Sequence, residues 1–296
     1  MKKYLLSLVL FEALMLFGTK VLADDCPEGV VRCGVTEDGL SWQISNIKDE
    51  NDMPVTLSDG QPAQQLTITG TEAMQEYSRR GENIAPWKDP NFVKGNSAPT
   101  ISKIVIEEGI TSIGVRAFED MTSVRSVSLP DGLKSIDVAA FNCCVRLSEI
   151  NLPSSLETLE GYAFYATRLS NIELPQNLQR IGGLAFGYNS HLSDITIPEN
   201  TYIDKQAFEA ESGAVFIQNV YCSGSNASCQ DLKNRESMSG KVQFYHSDGG
   251  TYFYDNRWYA SPNDILSNNH IKKRIYTVDE ANKISGTTNT FKIRYK

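Results

Sequence analysis

The chain has 296 residues and a formal net charge of −8, and 41% of its residues are hydrophobic. That hydrophobic fraction is ample for a core and excludes an intrinsically disordered chain, and the length leaves room for two or three structural units. The negative charge argues against a general binder of nucleic acid or of anionic membranes, because both are negatively charged themselves.

Residues 1–23 have the pattern of a secretory signal peptide. Lys2 and Lys3 form a basic start, an apolar run follows from Leu5 to Phe17, and Val21-Leu-Ala23 fits a small-residue cleavage site. The alternative is an uncleaved membrane anchor, but the apolar run is short for a bilayer span. We therefore expect cleavage after Ala23, a secreted or cell-surface location, and no integral membrane span in the mature chain.

Residues 24–98 are predicted to form a small β-rich N-terminal cap. The segments 40–44 and 65–68 alternate apolar and polar residues, as half-buried strands do. Trp42 and Trp87 could form a binding surface. A repeat protein also exposes an apolar cross-section at its open end, so we expect these two rings to seal that end.

Residues 99–222 contain one short sequence written five times. An Ala-Phe pair closes each copy, and the phenylalanines follow one another at steps of 23, 23, 22 and 22 residues, at Phe118, Phe141, Phe164, Phe186 and Phe208. A fixed period of this size predicts a solenoid of stacked copies. We expect the phenylalanines to form one file through the stack.

Each copy also predicts a short strand with one buried face. Two apolar columns lie two residues apart, which places them on the same side of a strand. These columns hold Ile104 and Ile106, Val127 and Leu129, Ile150 and Leu152, Ile172 and Leu174, and Ile195 and Ile197. A proline follows four of the five strands and should end them, because proline has no N–H to continue a ladder.

The repeat resembles the BspA-type leucine-rich repeats, whose unit reads roughly L-x-x-I-x-L-P-x-x-L-x-x-I-x-x-x-A-F. The copy from Leu147 to Phe164 follows this wording, and Cys144 stands where the family often carries a cysteine. The resemblance implies a strand-rich α/β solenoid of about five repeats. It also implies a bacterial or protist protein, secreted or on the cell surface, that binds host proteins, matrix or other cells. It does not imply an enzyme.

The outward positions of the predicted strands supply the candidate binding residues. They are mostly polar, and acidic toward the later copies: Lys103, Ser126, Glu149, Asn151, Asn171, Glu173, Asp194 and Thr196. None of them is aromatic or arginine, the residue types that dominate binding hot spots. We therefore expect modest affinity for a basic or hydroxylated partner protein, and binding that weakens in salt.

Residues 223–296 are predicted to form a small C-terminal β+α module. The segments 242–246 and 251–254 flank Ser-Asp-Gly-Gly, a hairpin signal, and residues 277–280 have capping-box spacing before a short helix. The aromatic cluster and basic tail of this module support an alternative function, a cell-envelope or glycan-binding protein. Core packing and a solvated charged face explain the same two features.

The cysteines are predicted to pair locally. Export makes disulfides plausible, and closeness in sequence favours Cys26 with Cys33 and Cys222 with Cys229. The remaining two, at 143 and 144, are adjacent and are expected to stay free, the second buried and the first partly exposed.

Neither a metal site nor an active site is indicated. The cysteine spacings do not fit a metal centre, and no motif brings together a nucleophile, a base and an orienting residue. We expect no metal, no cofactor and no catalysis. An enzyme with a site in the C-terminal module is the least favoured alternative.

Overall fold

The computed structural model describes residues 26–58, 60–80, 83–88, 100–223 and 242, together with the backbone of short strands after residue 242. In these ranges the chain is strand-rich, and its one helical segment is the 3-10 turn Pro86–Lys88. No helix in the same ranges is long and apolar enough to span a bilayer. The predicted signal peptide lies outside the described residues.

The described strands fall into two groups, the cap with the repeats and the strands that follow the repeats. The first group comprises β1 (Val30–Val35), β2 (Ser41–Asn46), β3 (Gln64–Thr69), β4 (Ile101–Ile106), β5 (Ser112–Ile113), β6 (Ser126–Ser128), β7 (Ser135–Ile136), β8 (Glu149–Ile150), β9 (Thr158–Leu159), β10 (Arg180–Ile181), β11 (Asp194–Ile197) and β12 (Tyr202–Ile203). The second comprises β13 (Asn219–Cys222), β14 (Gln243–His246), β15 (Tyr252–Tyr254), β16 (Arg257–Tyr259), β17 (Lys273–Ile275) and β18 (Ile293–Tyr295).

The cap is an antiparallel meander that turns into the repeat sheet. Strands β1, β2 and β3 pair antiparallel, and β3 then pairs in parallel with β4, the strand of the first copy. The predicted strands at 40–44 and 65–68 are confirmed as β2 and β3. Their apolar side chains Trp42, Ile44, Leu66 and Ile68 join the same buried core as the repeats.

Two parallel ladders run along the solenoid. On the strand face, β4 pairs with β6 and β6 with β8. On a second side, β5, β7, β9, β10 and β12 pair in succession, and each contributes only two residues. Short parallel strands of this kind cannot bury a core alone, so each copy is stabilised through its neighbours.

A third ladder runs through the turns that carry the Ala-Phe pairs. The N–H of each phenylalanine donates to the alanine carbonyl before the next phenylalanine, over 2.8–2.9 Å: Phe118 to Ala140, Phe141 to Ala163, Phe164 to Ala185, and Phe186 to Ala207. Each of the first four turns also holds two non-glycine residues at positive φ, between 54° and 63°. Seven of these eight residues donate their N–H to the next copy as well. The ladder bonds therefore offset a conformation that L-residues otherwise avoid.

The five phenylalanines form the predicted file. Successive ring centroids lie 5.2, 5.5, 5.7 and 6.0 Å apart with nearly parallel planes. All five side chains are at most 2% exposed. A strand-rich solenoid of about five turns is thus confirmed, with the core on the file of rings and the apolar strand positions.

The cap seals the first copy by replacing the missing neighbour. In later copies three turn carbonyls accept N–H groups from the copy before. In the first copy the N–H of Tyr77 donates to Val115 O, Trp87 Nε1 to Ala117 O, and Lys88 Nζ to Glu119 O. The ring of Trp87 stacks on Phe118 at 5.6 Å and so extends the file. Sealing by Trp87 is confirmed, and Trp42 is buried within the cap sheet.

The parallel stack continues past the expected boundary at residue 222. Strand β11 pairs in parallel with β13, and β13 with β14. The sheet therefore crosses the position at which the C-terminal module is expected to begin, and the division of the chain into units stays a prediction. The sequence conceals this pairing because the repeat wording decays after Phe208, while backbone pairing needs no particular side chains.

The two segments expected to form one hairpin have other partners. Strand β14 extends the stack, and β15 pairs antiparallel with β16. Strands β17 and β18 also pair antiparallel. The helix predicted after residue 277 and the aromatic and basic side chains of this region lie outside what the structure describes.

The disulfide between Cys26 and Cys33 is present and ties the chain before β1 to that strand. Cys222 is also disulfide-bonded. Its predicted partner, Cys229, lies outside the described residues, so that pairing stays a prediction.

We expect Phe164→Ala, in the middle of the file, to lower the free energy of unfolding by about 3–5 kcal/mol, because it leaves a cavity between two stacked rings. Thermal unfolding followed by circular dichroism measures the loss, with the exposed Tyr202→Ala as the control. An unchanged melting temperature would contradict the role of the file.

The two functions of Trp87 can be separated. Trp87→Phe keeps a ring on Phe118 but removes the indole donor, so it should cost about 1–3 kcal/mol for an unsatisfied buried carbonyl. Trp87→Ala should cost about 3–5 kcal/mol because the ring is lost too. Urea unfolding compares the variants. An unchanged stability of Trp87→Phe would show that the hydrogen bond to Ala117 O contributes nothing, and equal losses in both variants would show that the ring contributes nothing.

Candidate functional site

The predicted outward side chains lie on the solvent side of the strand face. Glu149, Asn151, Asn171, Glu173, Asp194 and Thr196 are exposed, and Lys103 and Ser126 are half-buried. Parallel register places Lys103, Ser126 and Glu149 in one row across β4, β6 and β8. The alternation expected from the sequence therefore holds, but the first two copies offer less accessible surface than the later ones.

The strand-face sheet is interrupted at the fourth copy. Residues 169–174 form no strand, so β8 and β11 belong to different sheets. The last backbone hydrogen bond before the gap runs from Arg168 N–H to Leu147 O at 2.9 Å. Within the described part of the chain, no backbone hydrogen bond involves residues 169–174.

A short turn explains the interruption. Leu147 follows Phe141 by six positions, and Leu192 follows Phe186 by six, whereas Leu169 follows Phe164 by only five. The residue equivalent to Val145 is missing from this turn. The backbone bond to the preceding copy therefore falls at Arg168, before Leu169, whereas in the third copy it falls at Ser148, after Leu147, while the alternation of buried and exposed side chains is kept.

A depression of about 530 Å³ lies beside this interruption. It is lined by Val127, Ser128, Leu129, Ser148, Glu149, Ile150, Asn151 and Asn171. Three predicted site residues, at 149, 151 and 171, come together there. Ser128 and Ser148 also line it but are not among the predicted binding residues, although Ser128 holds the outward position between Val127 and Leu129.

The outward side chains differ in whether they make hydrogen bonds or ion pairs with other residues of the protein. Among the described residues, Glu149, Asn151, Asn171 and Glu173 have no side-chain hydrogen bond or ion pair. The carboxylate of Asp194 instead accepts hydrogen bonds from Asn219 Nδ2 at 2.8 Å and from the Tyr221 hydroxyl at 3.4 Å. Thr196 of the fifth copy makes no side-chain bond among the described residues either, so four of the five exposed side chains without such a bond lie on copies three and four.

A second cavity, of about 390 Å³, lies where the cap meets the first copy. Its buried carboxylate, Glu119, accepts from Asn142 Nδ2 at 2.8 Å and lies 3.5 Å from Arg116 Nε and 3.9 Å from Arg79 Nε. Burial lowers the pKa of Lys88, whose ammonium group donates to turn carbonyls. Although Glu119 Oε2 makes no hydrogen bond among the described residues, it lies in ion-pair range of Arg116, and Lys88 caps the open end of the turn ladder, so the cavity is part of the junction.

The two adjacent cysteines are free, as expected, with Cys144 buried and Cys143 half-buried. Cys144 Sγ lies 3.2 Å from Phe118 O, and burial raises the pKa of both thiols. In the described ranges, no group of three or more His, Cys, Asp or Glu side chains is arranged to hold a metal ion.

We expect a maleimide at about pH 8 to label Cys143 slowly in the native protein and Cys144 only after unfolding, because the reactive thiolate is disfavoured by burial. Mass spectrometry of tryptic peptides identifies the labelled residue. Cys143→Ser should abolish native labelling, and rapid labelling of both thiols would show that the second turn opens.

Comparison with known proteins confirms the resemblance of the repeat. Residues 96–214 match the family model described as "BspA type Leucine rich repeat region", in six copies, where the sequence analysis expected about five. No curated protein matches the chain at a significant level.

Three solved structures illustrate the similarity. A leucine-rich repeat protein from Eubacterium ventriosum is 27% identical with a TM-score of 0.44, and the match covers 58% of this chain and 42% of that one. The leucine-rich repeat protein TpLRR of T. pallidum is 20% identical with a TM-score of 0.39, covering 61% and 76%. The pneumococcal vaccine antigen PcpA is 21% identical with a TM-score of 0.40, covering 51% and 38%. This chain thus spans less than half the length of the first and third.

Proposed function

Since residues 96–214 form a BspA-type leucine-rich repeat region, we propose that this protein is a non-catalytic binding protein that recognises another protein through its strand face. The observation that carries the proposal is the group of exposed, uncommitted polar side chains on copies three and four, at Glu149, Asn151, Asn171 and Glu173. Residues that contribute nothing to folding are free to contact a partner.

The charge of this surface determines the kind of partner. Among the eight outward positions, three are carboxylates and one is a lysine. A partner that offers Lys or Arg side chains, or hydroxyl groups, complements it. Exposed charge pairs contribute about 1 kcal/mol or less each, so the affinity is modest. It falls as added salt screens the charges.

The signal-peptide pattern at residues 1–23 supports export. The proposed setting is the cell surface or the medium, where the partner is a host protein or a ligand on another cell. Adhesion is the form of recognition that this location favours.

We expect the triple variant Glu149→Ala, Glu173→Ala, Asp194→Ala to lose roughly tenfold or more in affinity, which corresponds to about 1.4 kcal/mol. The probe is a set of basic peptides selected from a random-peptide phage library on the immobilised wild-type protein. Biolayer interferometry measures affinity at low and at high salt.

The matched control replaces three exposed acids outside the eight outward positions, Glu72, Glu107 and Glu199, and changes the net charge equally. Equal losses of affinity in both triple variants would mean that the change in net charge, and not the strand face, weakens binding. Full binding by the strand-face variant would exclude this face as the site.

A further inference from the structure

The interruption in the strand face leaves main-chain groups available to a ligand. In a regular solenoid every strand N–H and C=O pairs with the copies on either side. Residues 169–174 make no such bonds within the described part of the chain, although the side chains of Ile172 and Leu174 are at most 8% exposed. The segment is therefore held in place by its apolar side while its polar backbone has no protein partner.

We propose that this segment and the adjoining depression form a docking site for a short extended peptide that carries a Lys or Arg residue. The inference rests on the proposed function and specifies where on the strand face binding occurs and what is bound. Of residues 169–174 only Asn171 lines the depression, so its main-chain N–H and C=O, which have no backbone partner among the described residues, are the groups that bond the main chain of the peptide there.

Side chains around the depression complement a peptide in two further ways. Asn151 and Asn171 each offer a donor and an acceptor, the same pair that a peptide group presents. Glu149 and Glu173 occupy the neighbouring outward positions and supply the negative charge for a basic side chain. The volume of about 530 Å³ falls in the range of ligand-sized clefts.

The lining favours a peptide over a sugar. None of the eight lining residues is aromatic, so the depression offers no ring on which a sugar could stack. Val127 and Ile150, which also line it, belong to the core and are at most 8% exposed, so the depression offers a ligand mainly polar groups.

Hydrogen exchange tests the free main chain without any ligand. In the wild-type protein we expect the amides of residues 170–173 to exchange far faster than those of Val127 and Ile150, which lie in paired strands. Adding a basic peptide selected from the phage library should slow exchange at 170–173. Protection of these amides in the free protein would overturn the proposal.

A one-residue insertion tests the origin of the site. Inserting valine between Thr167 and Arg168 restores the six-position spacing of the second copy and should let the fourth strand pair with the third. We expect the amides of 170–173 to become protected and affinity for the selected peptides to fall about tenfold, a change of about 1.4 kcal/mol. The matched control inserts one residue after Asn200, in the exposed turn where the fifth copy is one residue short, and should bind as the wild type does.

Surface variants make the test independent of whether the insertion folds. The double variant Asn151→Ala, Asn171→Ala changes only exposed side chains and should also lose binding. If the strand-face triple variant loses binding while the insertion and the asparagine variants do not, recognition by the strand face stands and this site is wrong. If none loses binding, both proposals fail, and competition by soluble glycans but not by basic peptides would also overturn the peptide assignment.

Discussion

The fold depends on one constraint. No copy of the repeat can, by itself, satisfy the hydrogen bonds of its main chain or bury its phenylalanine ring. In each turn the phenylalanine N–H needs the alanine carbonyl of the next copy, and the ring needs another ring on each side. The stack is therefore a chain of nearest-neighbour contacts in which most interactions join a copy to the next one. Its ends and its irregular copies are the places where the constraint fails and something else must compensate.

The beginning of the stack shows one such compensation. Trp87 supplies both a ring for Phe118 and a donor for Ala117 O, and Lys88 supplies a donor for the adjacent carbonyl of Glu119. The ammonium group of Lys88 is partly buried there, and this burial lowers its pKa. Two consecutive side chains thus take the place of a whole preceding turn.

The fourth copy shows the opposite case. It lacks backbone hydrogen bonds to its neighbours on the strand side, and nothing replaces them within the described residues. Its ring stacks on both neighbours, and its turn is bonded to both, with Phe164 N–H to Ala185 O and Phe186 N–H to Ala207 O at 2.8 Å, although Tyr188 N–H lacks the bond that its equivalents make in the described turns. Its strand is unpaired because the preceding turn lacks one residue. The copy stays in the stack through two ladders and the file, while its strand side has no backbone hydrogen bond over residues 169–174 in the described part of the chain. The proposed peptide site is built on this feature.

The sequence by itself determined the period, the buried columns, the file of phenylalanines and the sealing role of Trp87, because each depends on apolar side chains whose spacing repeats. It also identified the outward residues by alternation along the strand. Only the tertiary structure decided which of them are free, since the engagement of Asp194 by Asn219 and Tyr221 joins residues far apart in sequence. The gap at residues 169–174 does have a trace in the sequence, the shorter spacing from Phe164 to Leu169, but only the backbone hydrogen bonds between copies show that the sheet is interrupted there. The pairing of β14 with β13 has no such trace, because backbone pairing needs no particular side chains.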